Sequence, residues 1–307
     1  MSRIKYSPNA HLRKLQMSNV SLFAFVEGKE LDSNFFGQVC LKVTEPRGIS
    51  YRIETATELP GGSGGKARLI AFYKYARSKS KLHSVLNGKR TILLFFIDKD
   101  IDDLRRTKCR SQHVIYTKHY DVQNYIFRHG EFIRGVSAAA SIDPRELASR
   151  PLFSADWCES AARRWREWTA LCLFSALFSR VNTASNYKNV STINVPQNGP
   201  LNRDLYEARL RELQSSSGLT STEFDVAMKR VGDMVDLHLS RRTYDRIFKG
   251  KWYSTILEMD LRNAFADRGQ MNNAGAKATT ALLASLDFSG QWSEHLLNEV
   301  AVVVDKL

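Results

Sequence analysis

Residues 90–104 read RTILLFFIDKDIDDL, and this stretch carries the clearest fold signal in the chain. The apolar run Ile92–Ile97 is nearly continuous, which is typical of a strand covered on both faces by helices. Four carboxylates follow the run, at Asp98, Asp100, Asp102 and Asp103. The stretch therefore predicts a buried strand that ends in an acidic cluster.

A second apolar run, Leu22–Val26, is also followed directly by a carboxylate, Glu27, and then by Gly28 and Lys29. In parallel α/β sheets, ligands bind in the crevice beyond the carboxyl ends of the strands. We therefore expect Glu27 and the later acidic cluster to open onto one edge of the sheet. The alternative for a single glutamate at a strand end is a solvated turn.

Strand and helix patterns alternate through the first half of the chain. Apolar spacing predicts a helix in residues 31–43, and alternation at Ile49, Tyr51 and Ile53 predicts a short strand. This order predicts an α/β fold with a parallel-core sheet flanked by helices, in a domain over residues 1–145. Helical periodicity then dominates residues 146–307, apart from a polar loop at 182–200, and two prolines in 143–151 mark the expected boundary.

Composition places the protein among folded globular chains with an anionic partner. The 307 residues are 43% hydrophobic, and 45 Lys and Arg against 32 Asp and Glu give a formal charge of +13. This excess favours nucleic acid first and a membrane surface second. The sequence has no apolar run of membrane-spanning length and no signal-peptide pattern, so the expected location is the cytoplasm.

The four cysteines form no C-x-x-C pair, which favours buried thiols over a zinc site or a disulfide framework.

A basic segment lies between the two acidic sites. No acidic residue occurs from Lys66 to Ile97, and apolar residues such as Leu69 and Phe72 have helical spacing. The pattern predicts a helix with one positive face. Its candidate phosphate contacts are Lys74, Arg77, Lys79 and Lys81, and a merely solvated face is the alternative.

The spacing of the acidic residues suggests a metal site. In an extended chain, residues two apart share a face, so Asp98 and Asp100 could reach one cation. Mg²⁺ is typically held by one or two carboxylates, with water and substrate phosphate completing the octahedron. Asp102 and Asp103 fit better as the acidic first turn of a helix.

Other features carry less weight. The glycine-rich stretch PGGSGGKA at residues 60–67 fails the Walker A pattern at Pro60 and Ala67, so a plain loop is favoured. Lys29 and Lys99 flank the acidic residues and are candidates for contacting substrate phosphate, with surface solvation as the alternative. The tryptophans at 157, 165 and 168 are more typical of a core than of a base-stacking platform.

Four motifs together resemble the Toprim-like nuclease family of bacterial defence effectors, which includes the nuclease subunit of PARIS anti-phage systems. They are FVEGKELDSNFF (25–36), LLFFIDKDIDDL (93–104), TKHYDVQNYI (117–126) and RIFKGKWYSTIL (246–257).

This resemblance implies a Toprim-like sheet and a Mg²⁺-dependent phosphodiester nuclease. It makes Glu27 a general acid/base or metal-organising carboxylate and makes Asp98 and Asp100 the Mg²⁺ ligands. It also implies tRNA as the target and an inhibitory ATP-binding-cassette-type (AriA-like) ATPase as the partner, with a homodimer possible. The chain departs from the family pattern at Gln123, where a glutamate is expected, which places a second metal in doubt. Asp121 is a candidate substitute, because on a strand it would share a face with Gln123.

A different class of function competes with the nuclease hypothesis. The chain could be a non-catalytic basic module for nucleic-acid binding or assembly, with a structural acidic cluster. Divalent-metal-dependent cleavage of nucleic acid separates the two hypotheses.

Overall fold

The computed structural model describes residues 6–60, 65–154, 156–178, 202–268 and 271–307. Residues 61–64 of the glycine-rich stretch and the polar loop at 182–200 lie outside these ranges. Among the described residues, the strands are β1 (Leu22–Val26), β2 (Tyr51–Thr55), β3 (His83–Leu86), β4 (Lys89–Ile97) and β5 (Val114–Tyr116). The helices are α1 (Pro8–Met17), α2 (Leu31–Thr44), α3 (Gly65–Ser78), α4 (Asp102–Arg105), α5 (Val122–His129), α6 (Phe132–Ala140), α7 (Pro144–Ser149), α8 (Pro151–Ser154), α9 (Trp157–Arg164), α10 (Arg166–Phe178), α11 (Arg203–Ser216), α12 (Ser221–Ser240), α13 (Lys251–Ala264), α14 (Ala274–Ala284) and α15 (Glu294–Val304).

The chain forms two compact units, which we call the sheet unit and the helical unit. The sheet unit comprises Met1–Lys99, Lys108–Lys118 and Asp287–Leu307, and the helical unit comprises Asp100–Thr107 and His119–Leu286. These units do not coincide with the predicted domains 1–145 and 146–307, because α5 and α6 belong to the helical unit and α15 belongs to the sheet unit.

The described ranges form a sheet of five strands, and the prediction of an α/β fold with a parallel core is confirmed. Its strand order is β2-β1-β4-β3, and β5 also pairs with β4. The pairs of β1 with β2, β1 with β4 and β4 with β5 are parallel, whereas β3 runs antiparallel to β4. The sequence did not lead us to expect β3.

Helices cover both faces of this sheet, which explains why β1 and β4 are apolar without alternation. On one face, Phe25 and Phe95 stack with ring centroids 4.8 Å apart and meet Phe72 of α3. On the other face, Phe36 of α2 stacks on Phe96 with ring centroids 4.3 Å apart. The helix α15 packs against α2, β4 and β5.

The helical unit confirms the predicted helical character of the chain's later part. Its core includes the three tryptophans Trp157, Trp165 and Trp168, each no more than 2% exposed. The Trp157 indole N–H donates to Asp260 Oδ2 at 2.7 Å, and Arg164 pairs with the same buried carboxylate. The interpretation of these tryptophans as core residues is therefore confirmed.

Candidate active site

Glu27 and Asp98 follow two adjacent strands at the same edge of the sheet. The strands β1 and β4 are parallel neighbours with Phe25 opposite Phe95, and they end at Val26 and Ile97. Each strand is followed at once by its carboxylate. Glu27 is half-buried and Asp98 is 6% exposed. The expectation that both follow strands at one carboxyl edge is confirmed.

The turn after β1 is held by a side chain from the start of α2. The Gly28 N–H donates to Asp32 Oδ2 at 2.6 Å, and the Ser33 hydroxyl donates to the Gly28 carbonyl at 3.2 Å. A Cβ atom at Gly28 would lie 2.8 Å from Asp32 Oδ2. Glycine is therefore needed here for the close approach of this carboxylate, while Lys29 remains exposed.

The first two residues of α3 contact both strand ends. A Cβ atom at Gly65 would lie 2.3 Å from Glu27 Cγ and 3.0 Å from its Oε1, so the Glu27 side chain occupies the space that a larger residue would need. The Lys66 Nζ donates to the Asp98 carbonyl at 2.8 Å. The sequence did not predict either contact. The Gly65-Lys66 pair near the end of the glycine-rich stretch is the sequence feature that could have indicated them.

Lys99 lies inside the protein and not on its surface. Its backbone N–H donates to Thr117 Oγ1 at 2.8 Å, and the residue is 1% exposed. This burial disfavours the predicted contact between Lys99 and substrate phosphate. Lys29 retains the exposure that such a contact requires.

Asp100 belongs to the helical unit, and its backbone is not extended. Its φ of 49° places it in the left-handed region, and its N–H donates to the Tyr120 carbonyl at 2.8 Å. The premise that Asp98 and Asp100 lie on one extended segment is therefore wrong, because β4 ends at Ile97. Asp102 and Asp103 form the first turn of α4, as expected.

A second polar cluster lies within the helical unit, around Asp121. Asp121 is the N-cap of α5: its Oδ1 accepts from the Asn124 N–H at 3.3 Å, and the Asn124 side-chain oxygen accepts from the Asp121 N–H at 3.1 Å. The Lys251 N–H donates to Asp121 Oδ2 at 3.3 Å. The assumption that Asp121 and Gln123 lie on a strand is therefore wrong, because Gln123 lies inside α5.

The electrostatics of this cluster couple two carboxylates and two lysines. Burial, together with the neighbouring Asp100 carboxylate, raises the pKa of Asp121 to about 7, although Lys251 opposes the shift. Burial also lowers the pKa of Lys249, as does the neighbouring Lys251, while Asp121 and Asp100 oppose that effect. Lys249 and Lys251 were within a quoted motif, but sequence reasoning assigned them no role.

Neither the arrangement of side chains nor comparison with known proteins supports the predicted metal site or the predicted family. Among the described residues, no group of three or more His, Cys, Asp or Glu side chains is arranged to hold a metal ion. The same ranges contain no helix that combines the length and the apolar character needed to cross a membrane. A comparison with protein-family models finds no match, and a comparison with curated proteins also finds none.

Proposed function

We propose that the protein is a Mg²⁺-dependent phosphodiester nuclease with Glu27 and Asp98 as its central carboxylates. The observation that carries this proposal is the position of these two residues directly after neighbouring parallel strands. The carboxyl edge of such a sheet is the usual place for a ligand. Burial of Asp98 is costly for a carboxylate unless a cation or hydrogen bonds compensate, which also fits a catalytic group.

The donor set fits magnesium. Glu27 and Asp98 offer only oxygen atoms, and Mg²⁺ is commonly held by one or two carboxylates while water and substrate phosphate supply the other ligands. When bound, the metal would activate a nucleophile and stabilise the leaving oxygen. A role for Asp100 as a third ligand stays a prediction, since Asp100 belongs to the helical unit.

The protein's own residues would fix the two carboxylates. The Glu27 side chain packs directly against Gly65, and this close contact limits the directions in which the Glu27 carboxylate can point. The Lys66 ammonium holds the Asp98 carbonyl and places a positive charge at the same edge. A preorganised charge of this kind can stabilise negative charge that develops during phosphodiester cleavage.

The resemblance in the four motifs also suggests a biological role, a substrate and a partner. On that basis, we propose a cytoplasmic, toxin-like anti-phage effector that cleaves RNA, with tRNA as the first candidate. An ATP-binding-cassette-type ATPase would hold it inactive until release. The formal charge of +13 supports a nucleic-acid substrate but does not select RNA over DNA.

Conservative substitutions test the proposed site. Glu27→Gln and Asp98→Asn should each abolish Mg²⁺-dependent cleavage of total tRNA or duplex DNA, because each removes an anionic oxygen. Glu30→Gln is the matched control, since Glu30 is exposed in the same turn. Cleavage by a folded Glu27→Gln protein at the wild-type rate would remove Glu27 from the site.

One observation favours the competing, non-catalytic function. Contact of Glu27 with Gly65 and of Lys66 with Asp98 could serve only to hold α3 against the strand ends. In that case, Glu27→Gln would lower the midpoint of urea unfolding, and the wild-type chain would bind nucleic acid without cutting it. Chelation by EDTA would then leave all measured properties unchanged.

A further inference from the structure

A basic cluster, which we define as Lys74, Arg77, Lys79 and Lys81, lies on the C-terminal part of α3 and in the turn that follows it. The first three are exposed and Lys81 is half-buried. No acidic residue occurs in the sequence between Lys66 and Ile97. The cluster is therefore a local concentration of positive charge within the sheet unit.

The backbone beneath the cluster is fixed. The opposite face of α3 is buried, with Phe72 and Tyr73 packed against the rings of the sheet core. At the helix end, Ser80 has a φ of 53°, its N–H donates to the Arg77 carbonyl at 2.9 Å, and the Lys81 N–H donates to the Ala76 carbonyl at 2.9 Å. This Schellman arrangement fixes the chain direction after the helix.

The lack of ion pairs separates the cluster from several arginines of the helical unit. Within the described ranges, no carboxylate lies within ion-pair distance of any of its four cations. By contrast, the helical unit pairs Arg163 with Glu159 and Arg262 with Glu258. Complementing the helix dipole accounts for cations in the last turn only, and Lys74 lies a turn earlier. The exposed cations of the cluster are therefore accessible to an external anion.

The length of α3 separates this cluster from the candidate active site. Gly65, the first residue of α3, lies against Glu27, and Lys74 and Arg77 follow it by nine and twelve residues. A rise of 1.5 Å per residue puts them about 14 and 18 Å further along the helix. One B-form strand rises about 3.4 Å per phosphate along the duplex axis, so a span of this length parallel to the axis corresponds to about four or five phosphates.

We propose that the basic cluster is a docking surface for the phosphate backbone of a nucleic acid whose scissile bond lies one helix length away. Binding of the phosphate backbone is inferred from the cluster alone. The position of the scissile bond near Glu27 rests on the proposed nuclease function. One consequence is a preference for substrates that extend well beyond the nucleotides at the active site.

Binding tests the docking step without relying on cleavage. Full-length Glu27→Gln protein would be titrated with 24-base-pair duplex RNA and, separately, duplex DNA, each over a range of salt concentrations. The test variant adds Lys74→Gln, Arg77→Gln and Lys79→Gln. The matched control adds Lys229→Gln, Arg230→Gln and Lys277→Gln, which removes the same three charges from exposed helix positions of the helical unit.

We expect the test variant to bind about tenfold more weakly at physiological salt, with a salt slope reduced by about 2 to 3 on duplex. The control should keep the affinity and the slope of the parent protein. A greater loss on RNA than on DNA, or the reverse, identifies which backbone the surface prefers. Equal losses in the test and control variants, or an unchanged slope in the test variant, would overturn the docking surface.

Cleavage tests the distance. With Glu27 intact, the three substitutions at the cluster should lower kcat/KM about tenfold on the 24-base-pair substrate and leave it unchanged on a four-nucleotide strand. An equal fall on both substrates would overturn remote docking. Absence of any Mg²⁺-dependent cleavage by the wild-type chain would refute the proposed function, while the binding series would still decide the docking surface.

Discussion

At the scale of single residues, Glu27 is positioned by two neighbours that lack a side chain. Gly28 admits the Asp32 carboxylate, and Gly65 admits the Glu27 side chain itself. A glycine at a close approach is a steric requirement, and the sequence alone shows only that the glycine is there. The partner that needs the space becomes visible only when the chain is folded.

Gly65→Ala should therefore disable the site without unfolding the protein. The added Cβ atom would lie 2.3 Å from Glu27 Cγ, so the side chain must turn away from its present position. We expect cleavage to fall by at least about tenfold, since small misplacements of a catalytic group are costly. The measurement is kcat/KM together with the urea midpoint.

Gly37→Ala is the control for this substitution. Gly37 lies inside α2, and its added Cβ atom would meet only Ile53 Cγ1, at 3.9 Å. Alanine is a better helix former than glycine by about 1 kcal/mol, so this variant should be slightly more stable and fully active. Equal activity of the two variants would contradict the proposed role of Gly65.

Asp245 should make stability depend on pH. Burial raises its pKa to about 6, from an ordinary value of 3.8, although the neighbouring Arg128 opposes the shift. The folded protein then holds a proton that the unfolded chain has lost. Its stabilising contribution is complete below pH 3.8 and is lost as the pH rises through about 6. A difference of about 2 pKa units corresponds to about 3 kcal/mol.

Urea unfolding at pH 4, 5, 6 and 7 measures this contribution. Asp245→Asn should remove the part of the decline in unfolding free energy that the wild type shows between pH 4 and 6. The ion pair with Arg128 forms only when the Asp245 carboxylate is ionised, and it opposes the rise in the pKa of Asp245. The slope of unfolding free energy against pH is therefore the informative quantity. Asp225→Asn, at an exposed position of α12, should leave the slope unchanged. Parallel curves for wild type and Asp245→Asn would contradict the assignment.

At the scale of elements, the contact between α5 and α13 depends on Gly250. The residue lies just before α13, and a Cβ atom there would be 2.2 Å from Asp121 Oδ1 and 2.5 Å from the Asn124 nitrogen. A backbone nitrogen cannot move aside as a side chain can. The capping box of α5 therefore requires glycine at this position.

We expect Gly250→Ala to destabilise the protein by about 1–3 kcal/mol, the range for overpacking a well-packed site. The free energy of unfolding from urea titration is the measurement. Gly232→Ala in α12 is the control, since its nearest neighbour would be an Arg166 nitrogen at 3.5 Å. If Gly250→Ala is as stable as the control, the contact of Gly250 with Asp121 and Asn124 does not require glycine.

Elements with local signals were predictable, and elements defined by distant contacts were not. The strands β1 and β4 were evident because both of their faces are buried, so apolar residues run without alternation. The hairpin between β3 and β4 also had a local signal, Asn87-Gly88, whose φ values of 50° and 75° fit the favoured hairpin turn. The long basic segment suggested a single helix and obscured this turn.

The site was predictable only in part, for the same physical reason. Glu27 and Asp98 could be expected at one edge because the ends of parallel strands meet there. Lys66 could not be expected, because its contact with the Asp98 carbonyl depends on how α3 packs across the sheet. The position of the Asp100 side chain depends on the positive φ of Asp100 itself, and no periodic pattern in the sequence reveals a positive φ.

At the scale of the whole molecule, the order of the chain does not match its division into compact units. The sheet unit is built from three segments, including Asp287–Leu307 at the far end of the sequence. Composition indicates where local structure changes from mixed to helical. It does not indicate which distant segment returns to a core, and for this reason α15 was assigned to the helical half.

Two substitutions in α15 test this division. Val300 is 0% exposed and Val302 is 56% exposed, so Val300→Ala and Val302→Ala make the same chemical change on opposite faces of one helix. Loss of two buried methyl groups should cost about 1–3 kcal/mol at Val300 and almost nothing at Val302. The methyl groups lost at Val300 belong to the sheet unit, because α15 packs on α2, β4 and β5.

Amide hydrogen exchange locates the effect. Val300→Ala should lower protection in β4, β5 and α2 more than in helices such as α10 and α12, since local stability follows the packing of each cooperative unit. Val302→Ala should leave every protected amide as it is in the wild type. Loss of protection confined to α10 and α12 would return α15 to the helical unit and restore the division near residues 143–151 that the sequence suggests.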